Sequence, residues 1–94
     1  MPSGNAKLAT HTEILCAVLR EQFPEKVGAL SLSLETYLRD EIGLDSLDLL
    51  TLAAVIENHY ERPVLDEQTS PAVFATVGSF SRHLEALSTG RVGS

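Results

Sequence analysis

The chain has 94 residues, of which 44% are hydrophobic, and its thirteen acids outnumber its seven bases to give a net charge of −6. This length supports one small domain with an adequate core, and the composition is not that of a disordered chain. The acidic balance disfavours nucleic acid and anionic membranes as partners. The single cysteine excludes an internal disulfide, so a reducing, cytoplasmic location is expected.

The first helix is predicted over residues 11–23, after a flexible leader of residues 1–9 that lacks the apolar segment of a secretory signal. Thr10 and Glu13 stand at the spacing of a capping box, with Thr10 as the cap. Apolar residues then recur at helical spacing until Pro24 ends the run.

A long connection follows from Pro24 to Asp45, and it includes the alternating sequence Ser-Leu-Ser-Leu over residues 31–34. Alternation is typical of a strand. We favour instead an extended loop packed against the core, with one helical turn near residues 35–40. The residues expected to hold this loop to the core are Leu30, Leu32 and Leu34.

The stretch IGLDSLDLL over residues 42–50 predicts a loop that closes on a glycine and turns into a helix over residues 46–61. Ser46 is interpreted as the N-cap, because a serine oxygen accepts an orphan backbone N–H. Asp48 lies in the first turn, where the helix dipole favours an anion. Pro63 is consistent with a stop, because the residue before a proline is pushed out of the helical region.

This helix carries two apolar stripes. The members of the first repeat at helical spacing and are expected to face the core: Leu49, Leu52, Ala53, Ile56 and Tyr60. The second stripe consists of Leu47, Leu50 and Ala54. It is either a second buried face or a surface kept for partners.

The rest of the chain predicts two more helices. Ser70 is interpreted as an N-cap, and Pro71 after it is favoured at the first position of a short helix of about one turn. Thr76 is expected to cap a last helix over residues 77–87, in which Gly78 costs up to about 1 kcal/mol relative to alanine. Residues 89–94 are expected to form a flexible tail. The total is three main helices and one short one, with little or no sheet.

The triplet Asp45-Ser46-Leu47, which follows the sequence Ile-Gly-Leu and leads into a leucine-rich helix, resembles the phosphopantetheine attachment motif of acyl carrier proteins. A triplet alone is a weak signal. The similarity, however, extends over most of residues 10–87, including the layout of the helices.

The resemblance implies an all-α fold: a small antiparallel four-helix bundle over residues 10–88, with three main helices, a short helix 3 and a long first loop. It also implies that Ser46 takes a covalent 4′-phosphopantetheine group from coenzyme A, in a reaction catalysed by a separate, Mg²⁺-using phosphopantetheinyl transferase. The thiol of this arm would carry acyl intermediates as thioesters, so the chain would be a carrier and not an enzyme.

The resemblance also assigns roles to the residues around the serine. Asp45 and Leu47 flank the attachment point and belong to the same site. An acidic helix beside the arm favours fast encounters of modest affinity. The residues assigned to the partner surface are Asp48, Leu50, Ala54 and Glu57. The residues assigned to the bundle core are Ala53, Ile56, Phe74, Phe80 and Leu84.

The sequence departs from the family's usual pattern in two places. Thr51 stands where carriers of fatty acid synthesis often have glutamate, and Asn58 and His59 follow Glu57 where two or three acids are common. This favours polyketide or related secondary metabolite synthesis over fatty acid synthesis. The initial methionine and the short tail favour a discrete protein. The carrier is expected to be a monomer, and the resemblance implies a ketosynthase, an acyltransferase or other synthase and tailoring enzymes as its partners.

Two alternatives remain open. A peptidyl or aminoacyl carrier is the first, although an aspartate directly before Ser46 favours acyl cargo. A helical interaction module is the second; it would bind a partner through Leu47, Leu50 and Ala54 without a prosthetic group. Other chemistry is disfavoured. A hydrolase triad lacks its Gly-x-Ser-x-Gly elbow, and Cys16 and the three histidines lack metal-ligand spacing.

Overall fold

The computed structural model describes residues 3–65 and 69–88, so the predicted tail lies outside the described residues. The elements are α1 (Ser3–Gln22), α2 (Pro24–Val27), α3 (Ser46–Tyr60), a 3₁₀ helix (Pro71–Phe74) and α4 (Val77–Ser88). Within these ranges there is no strand, and the extended segments meet in an isolated antiparallel bridge between Tyr37 and Thr76. The all-α class is therefore confirmed, with the 3₁₀ helix as the predicted short helix.

The first helix begins at Ser3 and not at residue 11, so Thr10 lies inside α1 and is not its cap. Residues 6–9 read Ala-Lys-Leu-Ala, which are among the strongest helix formers, and they extend the helix toward the N-terminus. The prediction that the helix ends before Pro24 is confirmed. The division of the chain at residue 10 into leader and bundle stays a prediction.

The loop between α1 and α3 is anchored differently from the prediction. Leu30 and Leu34 are 40% and 37% exposed, so they are not the residues that hold the loop to the core. Leu32 is half-buried against the core. The residues of the loop that are buried come later in the chain: Thr36, Leu38, Ile42 and Leu44.

Backbone hydrogen bonds explain this difference. The loop runs beside the start of α4, where the Gly78 N–H donates to the Leu34 carbonyl at 2.8 Å and the Val77 N–H donates to the Thr36 carbonyl at 3.0 Å. The turn predicted near residues 35–40 is a single hydrogen-bonded turn, in which the Glu41 N–H donates to the Tyr37 carbonyl at 3.1 Å. The loop begins with α2, which was not predicted.

The core lies between α1, α3 and α4. The inner stripe of α3 is buried as predicted, with Tyr60 half-buried at its end. Phe80 and Leu84 of α4 are fully buried. Phe74, predicted as core, is only half-buried, and its ring packs edge-on against Phe80 with the centroids 5.2 Å apart. This core fixes α3 so that its remaining faces point away from the bundle.

The predicted caps of the two C-terminal helices are confirmed. The Ser70 hydroxyl accepts a hydrogen bond from the Ala72 N–H at 3.2 Å at the start of the 3₁₀ helix. At the start of α4, Thr76 Oγ1 accepts from the Ser79 N–H and Ser79 Oγ accepts from the Thr76 N–H, each at 3.0 Å. Both starts therefore satisfy backbone donors with side-chain oxygens.

Candidate functional site

Ser46 is the first residue of α3, and its side chain is exposed. The cap of this helix is Asp45 and not Ser46, which corrects the sequence interpretation. Asp45 Oδ1 accepts from the Asp48 N–H at 2.8 Å, and Asp48 Oδ2 accepts from the Asp45 N–H at 3.1 Å. A carboxylate is favoured at this position by the helix dipole, and the reciprocal box leaves the serine hydroxyl with no capping role.

The loop before the serine is tightly held on both sides of a glycine. Gly43 has a φ of +89°, in the left-handed region that glycine adopts without a steric penalty. Its neighbours Ile42 and Leu44 are both buried. The Leu44 N–H also donates to the Leu38 carbonyl at 3.1 Å. The sharp turn at Gly43 therefore connects a buried loop to an exposed helix start.

A lysine from α2 joins this site. Lys26 Nζ forms an ion pair with Asp48 Oδ2 and donates a hydrogen bond to the Gly43 carbonyl at 3.2 Å. The hydrogen bond to Asp48 raises the pKa of Lys26. The same bond, together with the Asp45 backbone N–H, lowers the pKa of Asp48. Sequence reasoning missed Lys26, because it lies 22 residues before Asp48 and no local pattern marks the pair.

The second stripe of α3 is on the surface. Leu47 is 73% exposed and Leu50 is 57% exposed, and Ala54 is exposed as well. The question left open by the sequence is thus resolved in favour of an exposed apolar stripe and against a second buried face. Its use as a partner surface stays a prediction.

The two acids predicted for the partner surface already have partners within the chain. Asp48 is bound to Lys26 and to the N-terminal backbone of α3. Glu57 Oε2 accepts from the Val64 N–H at 3.0 Å and from the Leu65 N–H at 3.5 Å, so Glu57 holds the segment that follows α3. Their predicted role in partner binding is not tested by these contacts.

The three histidines lie toward the other end of α3. His11 Nδ1 and the Tyr60 hydroxyl share a hydrogen bond of 2.5 Å, and Tyr60 is about 21 Å along the helix from Ser46. His59 precedes Tyr60, and His83 Nε2 donates to the Val64 carbonyl at 2.7 Å. The structure therefore does not bring a histidine to Ser46 as a hydrolase triad would need.

Burial disfavours a nucleophilic role for the Cys16 thiol, and the acidic side chains of the described residues are not grouped to hold a metal ion. Cys16 is half-buried, and burial raises the pKa of its thiol, which makes the reactive thiolate less available. Among residues 3–65 and 69–88, no three His, Cys, Asp or Glu side chains are grouped so that they could hold a metal ion.

Across the part of the chain that the structure describes, no helix has both the length and the apolar character needed to cross a bilayer.

The start of α3 suits a serine that carries a phosphorylated group. The 15-residue helix presents the N–H groups of Ser46 and Leu47, which the capping box does not use, and the positive end of its dipole beside Ser46. A phosphodiester on Ser46 would be an anion at a helix N-terminus, which is a favourable position. The exposed side chains of Asp45, Ser46 and Leu47 leave room for such a group.

Comparison with known proteins agrees with this geometry. Residues 13–84, about three quarters of the chain, match the family described as "Phosphopantetheine attachment site". No significant match was found among curated proteins or among solved structures. Members of this family carry a covalently attached 4′-phosphopantetheine, and such carrier domains work with a phosphopantetheinyl transferase and with synthases. The chain therefore belongs to the phosphopantetheine attachment family and is a phosphopantetheine-bearing carrier protein.

Proposed function

We propose that Ser46 is the attachment point of the 4′-phosphopantetheine group and that the chain is an acyl carrier protein. The observation that carries this proposal is the exposed Ser46 side chain at the first residue of α3. Because Asp45 performs the capping, the serine hydroxyl is left available for esterification. When bound, the arm supplies a thiol that holds acyl intermediates as thioesters.

The residues around Ser46 hold it in a fixed position and offer contacts to the transferase. Asp45 and Asp48 fix the first turn of α3 through their reciprocal hydrogen bonds. The backbone N–H groups of that turn favour the negative charge that the serine oxygen acquires with the phosphate. Leu47, beside the serine, is exposed and offers an apolar contact to an enzyme that approaches the helix start.

We further propose that Leu47, Leu50 and Ala54 form the main docking stripe for the transferase and for a ketosynthase, acyltransferase or other synthase partner. The apolar exposure of Leu47 and Leu50 supports this assignment. Asp48 and Glu57 are assigned to the rim of the same surface, although each also makes bonds within the chain.

The proposed pathway is polyketide or related secondary metabolite synthesis rather than fatty acid synthesis. Thr51, Asn58 and His59 are exposed on α3 at positions where fatty acid carriers often have acids. The ion pair between Asp48 and Lys26 further reduces the net negative charge that α3 offers to a partner. We place the carrier in the cytoplasm as a monomer, where a reducing environment keeps the thiol of the arm and Cys16 reduced.

The attachment point is tested by intact mass after incubation with coenzyme A and a broad-specificity phosphopantetheinyl transferase. We expect a gain of one phosphopantetheinyl group, which Ser46→Ala abolishes. Ser33→Ala changes another exposed serine and should leave the gain intact. No gain, under conditions that modify a known carrier, would favour a helical interaction module without a prosthetic group.

The cargo is tested on the modified protein with acyl and aminoacyl donors and their loading enzymes. Asp45 directly before the serine favours acyl cargo. We therefore expect loading with acyl groups. Preferential loading with an amino acid would identify a peptidyl or aminoacyl carrier instead.

A further inference from the structure

The short helix α2 reaches the start of α3 through one side chain. Lys26 Nζ donates to the Gly43 carbonyl at 3.2 Å, three residues before Ser46, and forms an ion pair with Asp48, two residues after it. Lys26 therefore contacts the backbone on one side of the serine and the capping box on the other.

The backbone beside Lys26 is fixed in the core, and the lysine reaches Gly43, which is itself exposed between two buried neighbours. Val27, next to Lys26, is almost fully buried in the core. Gly43 has a φ of +89°, and a Cβ at this position would meet nothing within 4 Å, so no packing surrounds that side of the residue. The hydrogen bond from Lys26 thus restrains the carbonyl of a residue that is conformationally permissive.

We propose that Lys26 is a positioning residue for the modification of Ser46: it holds the Gly43 turn and the capping box in the arrangement that the phosphopantetheinyl transferase binds. This inference rests on the proposed attachment of the group at Ser46. Lys26 touches neither the serine oxygen nor the reacting phosphate in this account. It acts through the Gly43 carbonyl and through Asp48.

The expected effect is on binding and not on the chemical step. Without Lys26, the start of α3 occupies the binding-competent arrangement for a smaller fraction of the time, and apparent affinity falls by that fraction. Once the carrier is bound, the transferase supplies the same chemistry. Because the pair is partly exposed, its contribution is modest, and we expect KM to rise about two- to five-fold.

A competing electrostatic effect has the opposite sign. Removal of Lys26 makes the chain more acidic, which by itself strengthens attraction to a basic transferase surface. Arg39→Met is the matched control, because it removes one positive charge from an exposed residue of the same acidic region. Comparison of Lys26→Met with Arg39→Met therefore separates the loss of the two contacts from the change in net charge.

The experiment measures initial rates of Ser46 modification at varied carrier concentration for wild type, Lys26→Met, Lys26→Arg and Arg39→Met. We expect the KM of Lys26→Met to exceed that of Arg39→Met about two- to five-fold, with kcat unchanged within about twofold. Lys26→Arg keeps a charged donor and should recover most of the loss. A KM for Lys26→Met equal to or below that of Arg39→Met, or a loss confined to kcat, would overturn the proposal.

Amide hydrogen exchange on the unmodified proteins gives a second readout that does not depend on the transferase. Lys26→Met should exchange faster than wild type at residues 43–48 and equally at residues 52–56 in the middle of α3. Uniform acceleration would indicate a general loss of stability and would contradict a positioning role. Failure of wild type to accept the group refutes the attachment proposal instead, so the two failures are distinguishable.

Discussion

At residue scale, two neighbouring side chains have different roles at the start of α3: one caps the helix and the other is exposed to solvent. Asp45 accepts a hydrogen bond from the Asp48 N–H of the first turn, and Ser46 remains exposed beside it. A serine that had to cap the helix would have its oxygen engaged with a backbone N–H. The aspartate before the serine therefore has a physical role that the motif alone does not reveal. Because Asp45 makes the capping hydrogen bond, the serine hydroxyl does not have to.

This division predicts different effects of two alanine substitutions. Asp45→Ala removes the cap and should lower the free energy of unfolding by about 1 kcal/mol, whereas Ser46→Ala should change it by less than about 0.5 kcal/mol. Denaturant unfolding monitored by circular dichroism measures both. Asp45→Asn keeps a capping oxygen and should recover most of the loss. A larger loss for Ser46→Ala than for Asp45→Ala would return the capping role to the serine.

Gly78 is a position where we expect alanine to lower the stability of the protein, although helix propensity alone predicts that alanine would raise it. Propensity favours alanine by up to about 1 kcal/mol in a helix. A Cβ at Gly78, however, would lie 2.8 Å from the Leu34 carbonyl oxygen, which is a backbone atom held by the Gly78 N–H.

We therefore expect Gly78→Ala to lower the free energy of unfolding by about 1–3 kcal/mol, because overpacking against backbone outweighs propensity. Thr51→Ala, at an exposed position inside α3, is the control and should be neutral or slightly stabilising. Stabilisation by Gly78→Ala would show that the loop moves aside at little cost.

At element scale, the accuracy of prediction follows the range of the interactions that define each element. The end of α3 was predicted to within one residue and its core-facing stripe correctly, because periodicity and a following proline are local signals. The caps at Ser70 and Thr76 were predicted for the same reason.

The loop anchors could not be predicted in this way. Leu38 is held by a hydrogen bond from its N–H to the Ala75 carbonyl at 3.1 Å, and Lys26 pairs with Asp48. Both contacts join segments far apart in the sequence, where periodicity carries no information. The start of α1 was predicted wrongly because the capping-box spacing of Thr10 and Glu13 was given more weight than the helix propensity of residues 6–9.

The contact between α1 and α3 predicts an observable titration. Burial raises the pKa of Tyr60 above its ordinary value of 10.0, and the neutral hydroxyl is hydrogen-bonded to His11. The chain has two tyrosines, so Tyr37→Phe leaves Tyr60 alone to report. Its tyrosinate absorbance should titrate with a midpoint above 10.0 in the folded protein.

The sign of the linked stability change follows from the same shift. A raised folded-state pKa on an acid favours the neutral form, so the contribution to stability is complete below pH 10.0 and is lost as the pH rises through the folded pKa. The free energy of unfolding of the Tyr37→Phe variant should therefore fall in that alkaline range. It should fall more than that of the double variant that carries both Tyr37→Phe and Tyr60→Phe. A midpoint at or below 10.0 would contradict the burial argument.

At the scale of the whole molecule, charge and apolar surface are concentrated around one helix. Residues 35–61 contain seven of the thirteen acids and one of the seven bases, a balance equal to the net charge of the chain. The exposed apolar stripe of α3 lies inside this region. An apolar stripe with an acidic surround suits partners with basic surfaces, which it would meet quickly and release readily.

Substitution of two leucines of α3 tests whether its exposed stripe serves binding while its buried stripe serves stability. Leu50 is 57% exposed and Leu52, two residues later, is fully buried. Leu52→Ala should lower the free energy of unfolding by about 2–5 kcal/mol, as expected for truncation of a core leucine. Leu50→Ala should change it by less than about 0.5 kcal/mol, because its side chain is largely in solvent.

The order of the two variants' effects on modification of the carrier should be the opposite of the order of their effects on stability. In the modification assay, Leu50→Ala should raise the KM of the transferase for the carrier, because it removes apolar area from the proposed docking stripe. Leu52→Ala, assayed at a temperature where circular dichroism shows it to be folded, should leave that KM near the wild-type value. An unchanged KM for Leu50→Ala would exclude this part of the stripe from transferase binding, while Ser46 could still be the attachment point.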